Sequence, residues 1–322
     1  MIYFVTGATG FVGGVLVRKL REQGHDVHAS VRDLNKANDL QVLGVKLFRG
    51  DATDKESMRE PMQGTDGVYH VAGWYKIGVK DKRDAEHVNI QGTRNVLELM
   101  QELNIAKGVY TSTCAINSDT HGRVVDESYH FRGKHISEYD RTKAAAHEVA
   151  KEFIAKGLPL VIVMPGLIYG PGDTSSLRAS IIEHLNGQLP MIPAQAGNCF
   201  AHVEDVAQGH ILAMEKGRVG ESYIISGERY TLADAFKLAS QITGKRAPMV
   251  APAQMIKFMS LLARPFDMIL PPAYTSEGLR VIAGVTYMGD NSKARRELGY
   301  DPRSFREGWE ETLRHEMRLL GM

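Results

Sequence analysis

Two rhythms of apolar and polar positions alternate along the first half of the chain. Ile2-Tyr3-Phe4-Val5 is a short continuous apolar run that predicts a strand buried on both faces, and Val15-Leu16-Val17-Arg18-Lys19-Leu20 resumes at helical spacing. Further strands are predicted at Asp26–Val31, 45–48, 67–71, 108–111 and 160–164, with helical patterns between most of them. The stretch 83–104 sets Val88, Val96, Leu99, Met100 and Leu103 on one face, and 137–156 reads as a second long helix. Strand–helix alternation of this kind predicts a parallel sheet covered on both sides.

After Tyr169-Gly170-Pro171-Gly172 the rhythm breaks. A helix over 202–216, a short strand over 222–226 and a helix over 232–243 precede a helical remainder punctuated by proline. The predicted architecture is α/β. A Rossmann-type doubly wound parallel sheet occupies 1–170 and takes back 201–226, while 171–322 forms a smaller, mainly helical substrate domain. In such sheets ligands bind outside the carboxyl ends of the strands, so the second domain is expected to roof that edge.

The turn after the first strand carries Gly7, Gly10 and Gly13. Glycine at a strand-to-helix turn lets a pyrophosphate approach the backbone and the N–H groups of the helix start, although the same residues also suit an ordinary turn. The spacing is G-x-x-G-x-x-G rather than G-x-G-x-x-G. At the end of the second strand Val31 cannot accept a hydrogen bond from a ribose 2′-hydroxyl, whereas Arg32, with Lys36 four residues on, can pair with a 2′-phosphate. The cofactor reading is therefore NADP(H) over NAD(H). Asp51 ends the third strand, where it can accept from an adenine amino group or simply form a turn. His70-Val71-Ala72-Gly73 ends the fourth with small residues where a ribose or nicotinamide can lie, His70 itself being read as packed.

The fifth strand ends in Tyr110-Thr111-Ser112-Thr113, and the helix that follows carries Tyr139 and Lys143. Residues four apart share a helix face, so these two side chains point together. A tyrosine with a pKa of about 10 is a poor acid–base group at neutral pH, and a neighbouring ammonium brings it toward the working range. Thr113 can then donate to a substrate oxygen.

Composition excludes more than it selects. The 322 residues are 43% hydrophobic with a formal net charge of +1, which gives no electrostatic bias toward nucleic acid or an anionic surface. Cys114 and Cys199 stand far apart in sequence and match no zinc or disulfide spacing, which argues for a reducing, cytoplasmic setting. No metal is implied. Ile2 already belongs to the first strand, so no signal peptide is read ahead of it. The apolar region 253–274 is broken by Lys257, Arg264, Asp267 and prolines, so it is no membrane span; it reads mostly as core, part of it available to line a pocket for an apolar substrate. Asp126-Glu127 reads as a solvated acidic pair and Cys114 as a buried small residue.

Taken together these motifs resemble the extended short-chain dehydrogenase/reductases, the NAD-dependent epimerase/dehydratase family, nearly end to end. Thr6-Gly7-Ala8-Thr9-Gly10-Phe11-Val12-Gly13 is similar to their cofactor signature, and Val88-Asn89-Ile90-Gln91-Gly92-Thr93 to the segment holding their structural asparagine. Ser112-Thr113 matches the hydroxyl motif, and Tyr139 and Lys143 the catalytic pair. Met164 to Pro171 resembles the nicotinamide-contacting segment, and Phe200 to Ala207 a later signature. The ending Val31-Arg32-Asp33 looks most like the dihydroflavonol-reductase-like branch.

The resemblance implies catalytic roles for Thr113, Tyr139 and Lys143. It implies cofactor contacts from Gly7, Thr9, Gly10, Phe11, Val12, Gly13, Arg32, Lys36, Asp51, Ala52, Val71, Ala72, Gly73, Asn89, Thr111, Tyr139, Lys143, Pro165, Gly166 and Ile168. It also implies a homodimer through the two long helices, with a small molecule as substrate and no nucleic acid. The function expected is carbonyl–alcohol interconversion. A sugar-nucleotide epimerase or dehydratase is the alternative, weakened because Asn198 stands where many such enzymes carry a diphosphate-gripping arginine, with Arg178 as a substitute. A non-catalytic NADP(H) sensor is a third reading, and such proteins often lose the tyrosine or lysine present here.

Overall fold

A computed structural model describes residues 1–322. Strands β1 (Ile2–Thr6), β2 (Asp26–Val31), β3 (Lys46–Arg49), β4 (Gly67–His70), β5 (Gly108–Thr111) and β6 (Leu160–Pro165) lie in one sheet. Three short strands follow outside it: β7 (Leu167–Tyr169), β8 (Met191–Pro193) and β9 (Gly197–His202). The chain then returns as β10 (Ser222–Ile225), completing a seven-stranded parallel sheet of order β10-β6-β5-β4-β1-β2-β3. It is the Rossmann-type doubly wound fold, and its order reverses between β1 and β4.

Both faces of the sheet are buried, as the unbroken apolar strands require. Val5, Tyr69, Val109 and Val161 pack with Leu16, Val17 and Leu20 of the helix Phe11–Glu22 and Ile211 of the helix Val203–Lys216. Phe4, Val68, Tyr110 and Ile162, the alternate positions, pack with Val96 and Leu99 of the helix Gly92–Glu102 and with Ala146 and Phe153 of the helix Glu138–Ala155. Period-two alternation thus supplies two cores from one set of strands.

The second lobe is built on β7, β9, β11 (Arg229–Thr231) and β13 (Thr286–Tyr287), and a small pair joins β8 to β12 (Met249–Ala251). Its core gathers Tyr169, Phe200, Phe236, Phe305 and Trp309, whose indole N–H donates to the Ala235 carbonyl at 3.0 Å. No helix is long and apolar enough to cross a membrane.

Four expectations change. The stretch 83–104 is not one regular helix: a π turn, His87–Gln91, interrupts it and carries Asn89. Glu127 is not solvated, because its Oε1 accepts from the Ile224 N–H at 2.8 Å and so satisfies β10, while Asp126 closes a local turn on Ser128. Cys114 and Cys199 meet in the core, with sulfurs 3.9 Å apart and both thiols free. Most large side chains of 255–269 face outward, because the helix Ala253–Ala263 buries only Ala253, Ile256, Ser260 and Ala263.

Candidate active site

The glycines at the end of β1 have separate jobs. Gly7 sits at φ +72°, and a Cβ there would meet the Ala72 nitrogen at 2.8 Å, across the crevice where the strand order reverses. A Cβ on Gly13 would lie 2.0 Å from the Gly7 carbonyl oxygen, so the helix can start this close to the strand only with glycine. Thr9 and Gly10 are exposed, Phe11 and Val12 half-buried, and no side chain caps the helix. The result is a bare backbone cradle at a positive helix end, which fits a pyrophosphate.

Beside it, the ends of β1 and β4 are locked by a buried chain of hydrogen bonds that sequence reasoning missed. Thr6 Oγ1 accepts from the N–H groups of Val71 and Ala72 at 3.1 Å each, and lies 2.8 Å from His70 Nδ1. His70 Nε2 lies 3.1 Å from Thr93 Oγ1, whose hydroxyl donates to the Asn89 carbonyl at 2.6 Å. With that proton committed, Thr93 accepts from Nε2–H, and Thr6 donates to Nδ1. Burial, reinforced by the charge of Lys143, pulls His70 down to about 3, so the imidazole is neutral.

Asn89 is equally engaged. Its side-chain Oδ1 accepts from Trp74 N at 2.7 Å, and its side-chain Nδ2 donates to the Trp74 carbonyl and to Thr142 Oγ1. It ties the segment after β4 to the helix Glu138–Ala155. A Cβ added to Gly73 would stand 3.4 Å from Asn89 Oδ1 and 3.7 Å from Lys143 Nζ, so this strand end lies over the lysine.

The candidate reactive groups come from the end of β5 and that helix. Ser137 caps the helix by accepting from the Asp140 N–H at 3.1 Å, with Asp140 returning as acceptor for the Ser137 hydroxyl at 2.7 Å. One turn in, Lys143 is 5% exposed and donates to the Thr111 carbonyl at 2.8 Å and to Tyr110 Oη at 3.3 Å. Burial pulls its ammonium down to about 7. Burial pushes the Tyr139 phenol up to about 12, against the pull of its hydrogen bond with Thr113. Thr113 Oγ1 accepts from the Ala115 N–H at 3.1 Å, which orients the hydroxyl.

The neighbouring hydroxyls point elsewhere. Thr111 Oγ1 pairs with His210 at 2.8 Å and Ser112 Oγ with His147 at 2.9 Å, so Thr111 offers the site only its carbonyl. Beside Tyr139, Asp140 is held by Ser137 and by Tyr287 Oη at 3.0 Å, and burial raises its carboxyl to about 6.

At the far end of the sheet, Arg32 and Lys36 are more than four-fifths exposed, with carboxylates no nearer than 4.0 Å (Asp51) and 3.9 Å (Asp33) respectively. Asp51 Oδ1 accepts from Thr53 N and Oγ1, a turn, and the Ala52 carbonyl accepts from Asn95. On the second-lobe side Pro165 ends β6, and a Cβ on Gly166 would lie 2.0 Å from the Cys199 carbonyl oxygen. Ile168 pairs with Ala201. Arg178 binds the buried Glu316 at 2.8 Å.

This arrangement has known counterparts. Residues 3–226 match the model of the NAD dependent epimerase/dehydratase family. The chain belongs to that family. A putative dihydroflavonol 4-reductase from Synechocystis sp. is 34% identical over 318 residues, 95% of this chain and 91% of the relative. Sterol demethylase protein B from Methylococcus capsulatus is 31% identical over 315 residues, 95% of each chain. Among solved structures, gox2253 superposes with a TM-score of 0.85 at 30% identity, covering 99% of this chain and 98% of that one. The protein is an NAD(P)-dependent reductase or dehydrogenase of the extended short-chain group.

Proposed function

We propose that the protein is an NADP(H)-dependent oxidoreductase interconverting an aldehyde or ketone with an alcohol. The observation that carries this reading is the convergence of Thr113, Tyr139 and Lys143 at the carboxyl end of β5, beside a glycine cradle shaped for a dinucleotide. When bound, the nicotinamide dinucleotide supplies or takes up the hydride. Gly7 to Gly13 would hold its pyrophosphate, Arg32 and Lys36 its 2′-phosphate, and Lys143 its nicotinamide ribose.

In the reducing direction Thr113 orients the carbonyl oxygen, and the protonated Tyr139 gives that oxygen its proton. A phenol pushed up to about 12 is protonated at neutral pH, the form a proton donor needs. Lys143 stabilises the phenolate left behind. In the oxidising direction the same groups run in reverse. Replacing Tyr139 by Phe while keeping cofactor binding tests the mechanism; unchanged turnover overturns it.

An apolar carbonyl substrate belongs to this reading, and neither position read as a diphosphate grip offers a free cation. Arg178 is paired with Glu316, and Asn198 is uncharged. Both points weigh against a sugar-nucleotide epimerase. A homodimer through the helices Gly92–Glu102 and Glu138–Ala155 belongs to the same proposal, and a monomeric mass in light scattering would remove it.

A further inference from the structure

The helix Ala253–Ala263 has its polarity inverted. The side it turns inward is mostly small, with Ala253, Ser260 and Ala263 buried beside Ile256. Its large apolar side chains face out: Phe258 is 60% exposed, Leu261 69% and Leu262 57%, and the surface continues through Phe266 (54%), Met268 (71%) and Ile269 (76%). A solvated surface helix does the reverse. Contiguous exposed apolar surface on this scale marks a binding face rather than scattered exposure.

The charges on the helix and the turn that follows it, residues 253–266, are both basic. Lys257 and Arg264 are exposed and form no ion pair. Two acidic residues beside the face are held by hydrogen bonds, Asp267 half-buried and Glu277 buried, and Asp81, next to Lys80, pairs with Arg83. Asp267 accepts from Ser276 N at 2.6 Å and from Ser276 Oγ. Glu277 is buried, accepting from Gly78 N at 3.1 Å and Glu138 N at 2.8 Å and pairing with Lys82 at 2.7 Å. Beside Ile269 a cleft of about 430 Å³ runs between Ile269–Pro272 and the segment Gly78–Lys80, adding the exposed Lys80 to the rim.

We propose that this face docks on the surface of an anionic lipid bilayer, with Phe258, Leu262 and Ile269 among the acyl chains and Lys257, Arg264 and Lys80 at the headgroups. An apolar face with a basic rim fits the interface of such a membrane. A helix of eleven residues is too short to cross it. A second copy of the chain is a poorer occupant, because a two-fold contact sets the basic rims against each other. The docked face is linked to the chemistry through Glu277. Its carboxylate holds both the Gly78 loop and the first turn of the helix that carries Tyr139, so the site stands next to the bilayer. The proposal does not depend on the substrate reading above.

The test is co-flotation of the full chain with vesicles of phosphatidylcholine containing phosphatidylglycerol, against phosphatidylcholine alone. The wild type is expected to float with the anionic vesicles, and the triple variant Phe258→Ser/Leu262→Ser/Ile269→Ser at least about tenfold less. The pair Lys257→Glu/Arg264→Glu, which leaves the apolar surface intact, is expected to lose the preference for anionic vesicles. Both variants keep the NADPH affinity of the wild type, which separates lost docking from lost folding. A wild type that stays with the unbound protein overturns the proposal, as does a triple variant that floats equally. A dimer in light scattering that the triple variant dissolves assigns the face to a second copy, and also overturns it.

Discussion

Lys143 Nζ donates to the carbonyl oxygen of Thr111 at 2.8 Å, which pins the lysine to the end of β5, two residues before Thr113. The ammonium and the hydroxyl are thus positioned by one strand, and Tyr139 reaches them from one helical turn away. Tyr139→Phe should therefore lower kcat by a factor of about 10² to 10⁴ with little change in cofactor affinity. Lys143→Met should weaken both, because the proposed mechanism gives the lysine to the cofactor as well as to the phenol. The two directions also differ in pH dependence. Reduction uses the protonated phenol, and since that form persists toward about 12 its rate should not rise with pH. In the proposed mechanism oxidation needs the phenolate, so its rate should climb above pH 7, less steeply than the phenolate fraction alone because Lys143, pulled down to about 7, loses its ammonium over the same range. Rate profiles measured both ways check this, and a flat oxidation profile contradicts it.

The cradle makes a paired prediction. Gly13→Ala would place a methyl 2.0 Å from the Gly7 carbonyl oxygen, and Gly14→Ala, one residue on, would place it 3.6 Å from the Ala8 carbonyl oxygen, an ordinary contact. The first should abolish dinucleotide binding or destabilise the fold. The second should be tolerated and stabilise the helix by roughly 0.5–1 kcal/mol. Fluorescence titration with NADPH and thermal melts of both variants separate the outcomes.

Where function depends on neighbours in sequence, the chain was readable. The alternating strands, the glycine turn and the spacing of Tyr139 and Lys143 all come from local periodicity. What escaped depends on partners far along the chain. Glu277 reaches the helix start at Glu138, Glu127 satisfies β10 at Ile224, and Cys114 finds Cys199. The stretch 253–269 was misread because a helical apolar stripe normally turns inward, and nothing local says that the neighbouring lobe admits only small side chains there.

The proposed preference for NADP(H) rests on Arg32. Its guanidinium is 83% exposed and its Nε lies 4.0 Å from Asp51, so it is available to a 2′-phosphate. Losing a charge-assisted pair costs about 1.5–3 kcal/mol. Arg32→Ala should therefore weaken NADPH binding by roughly ten- to a hundredfold and leave NADH nearly unchanged. Equal losses for both cofactors would show that the arginine does not read the phosphate.

The two thiols should be silent in the native protein. Cys114 is 2% exposed and Cys199 fully buried, with Cys114 Sγ 3.4 Å from the Met164 carbonyl oxygen and Cys199 Sγ 3.3 Å from that of Tyr287. The hydrogen bond the two thiols share, together with burial, pushes Cys114 well up, while the same bond draws Cys199 down to about 7, so it is burial that keeps Cys199 from reagent. Alkylation should be negligible under native conditions and reach both cysteines in denaturant, tracking the opening of the core. Rapid labelling of the folded protein would contradict the packing.

His70 yields the last prediction, because the direction of every hydrogen bond around it is determined. Thr93 gives its proton to the Asn89 carbonyl and must accept from His70 Nε2; Nδ1 is then the acceptor for Thr6. The imidazole should be the neutral Nε2–H tautomer, and nitrogen NMR should find it so down to pH 5. His70 and His147 are held at about 3, and His202 and His210 at about 4, each mainly by burial, below the ordinary value of about 6.5. Below pH 6.5 the unfolded chain binds protons that the fold refuses. Each histidine therefore removes stability as the pH falls, by at most about 1.4 kcal/mol per pH unit. Asp140, raised to about 6, opposes this with one proton taken up by the fold. Glu127 and Asp173 are raised by burial as well, and His135 and His184 lowered by it; six histidines against three carboxyls leave a net loss between pH 6.5 and 4, which urea titrations should record as a lower midpoint at pH 5 than at 7.5. An imidazolium signal from His70 at pH 5 would break the chain of donors and with it the argument for how β1 and β4 are held together.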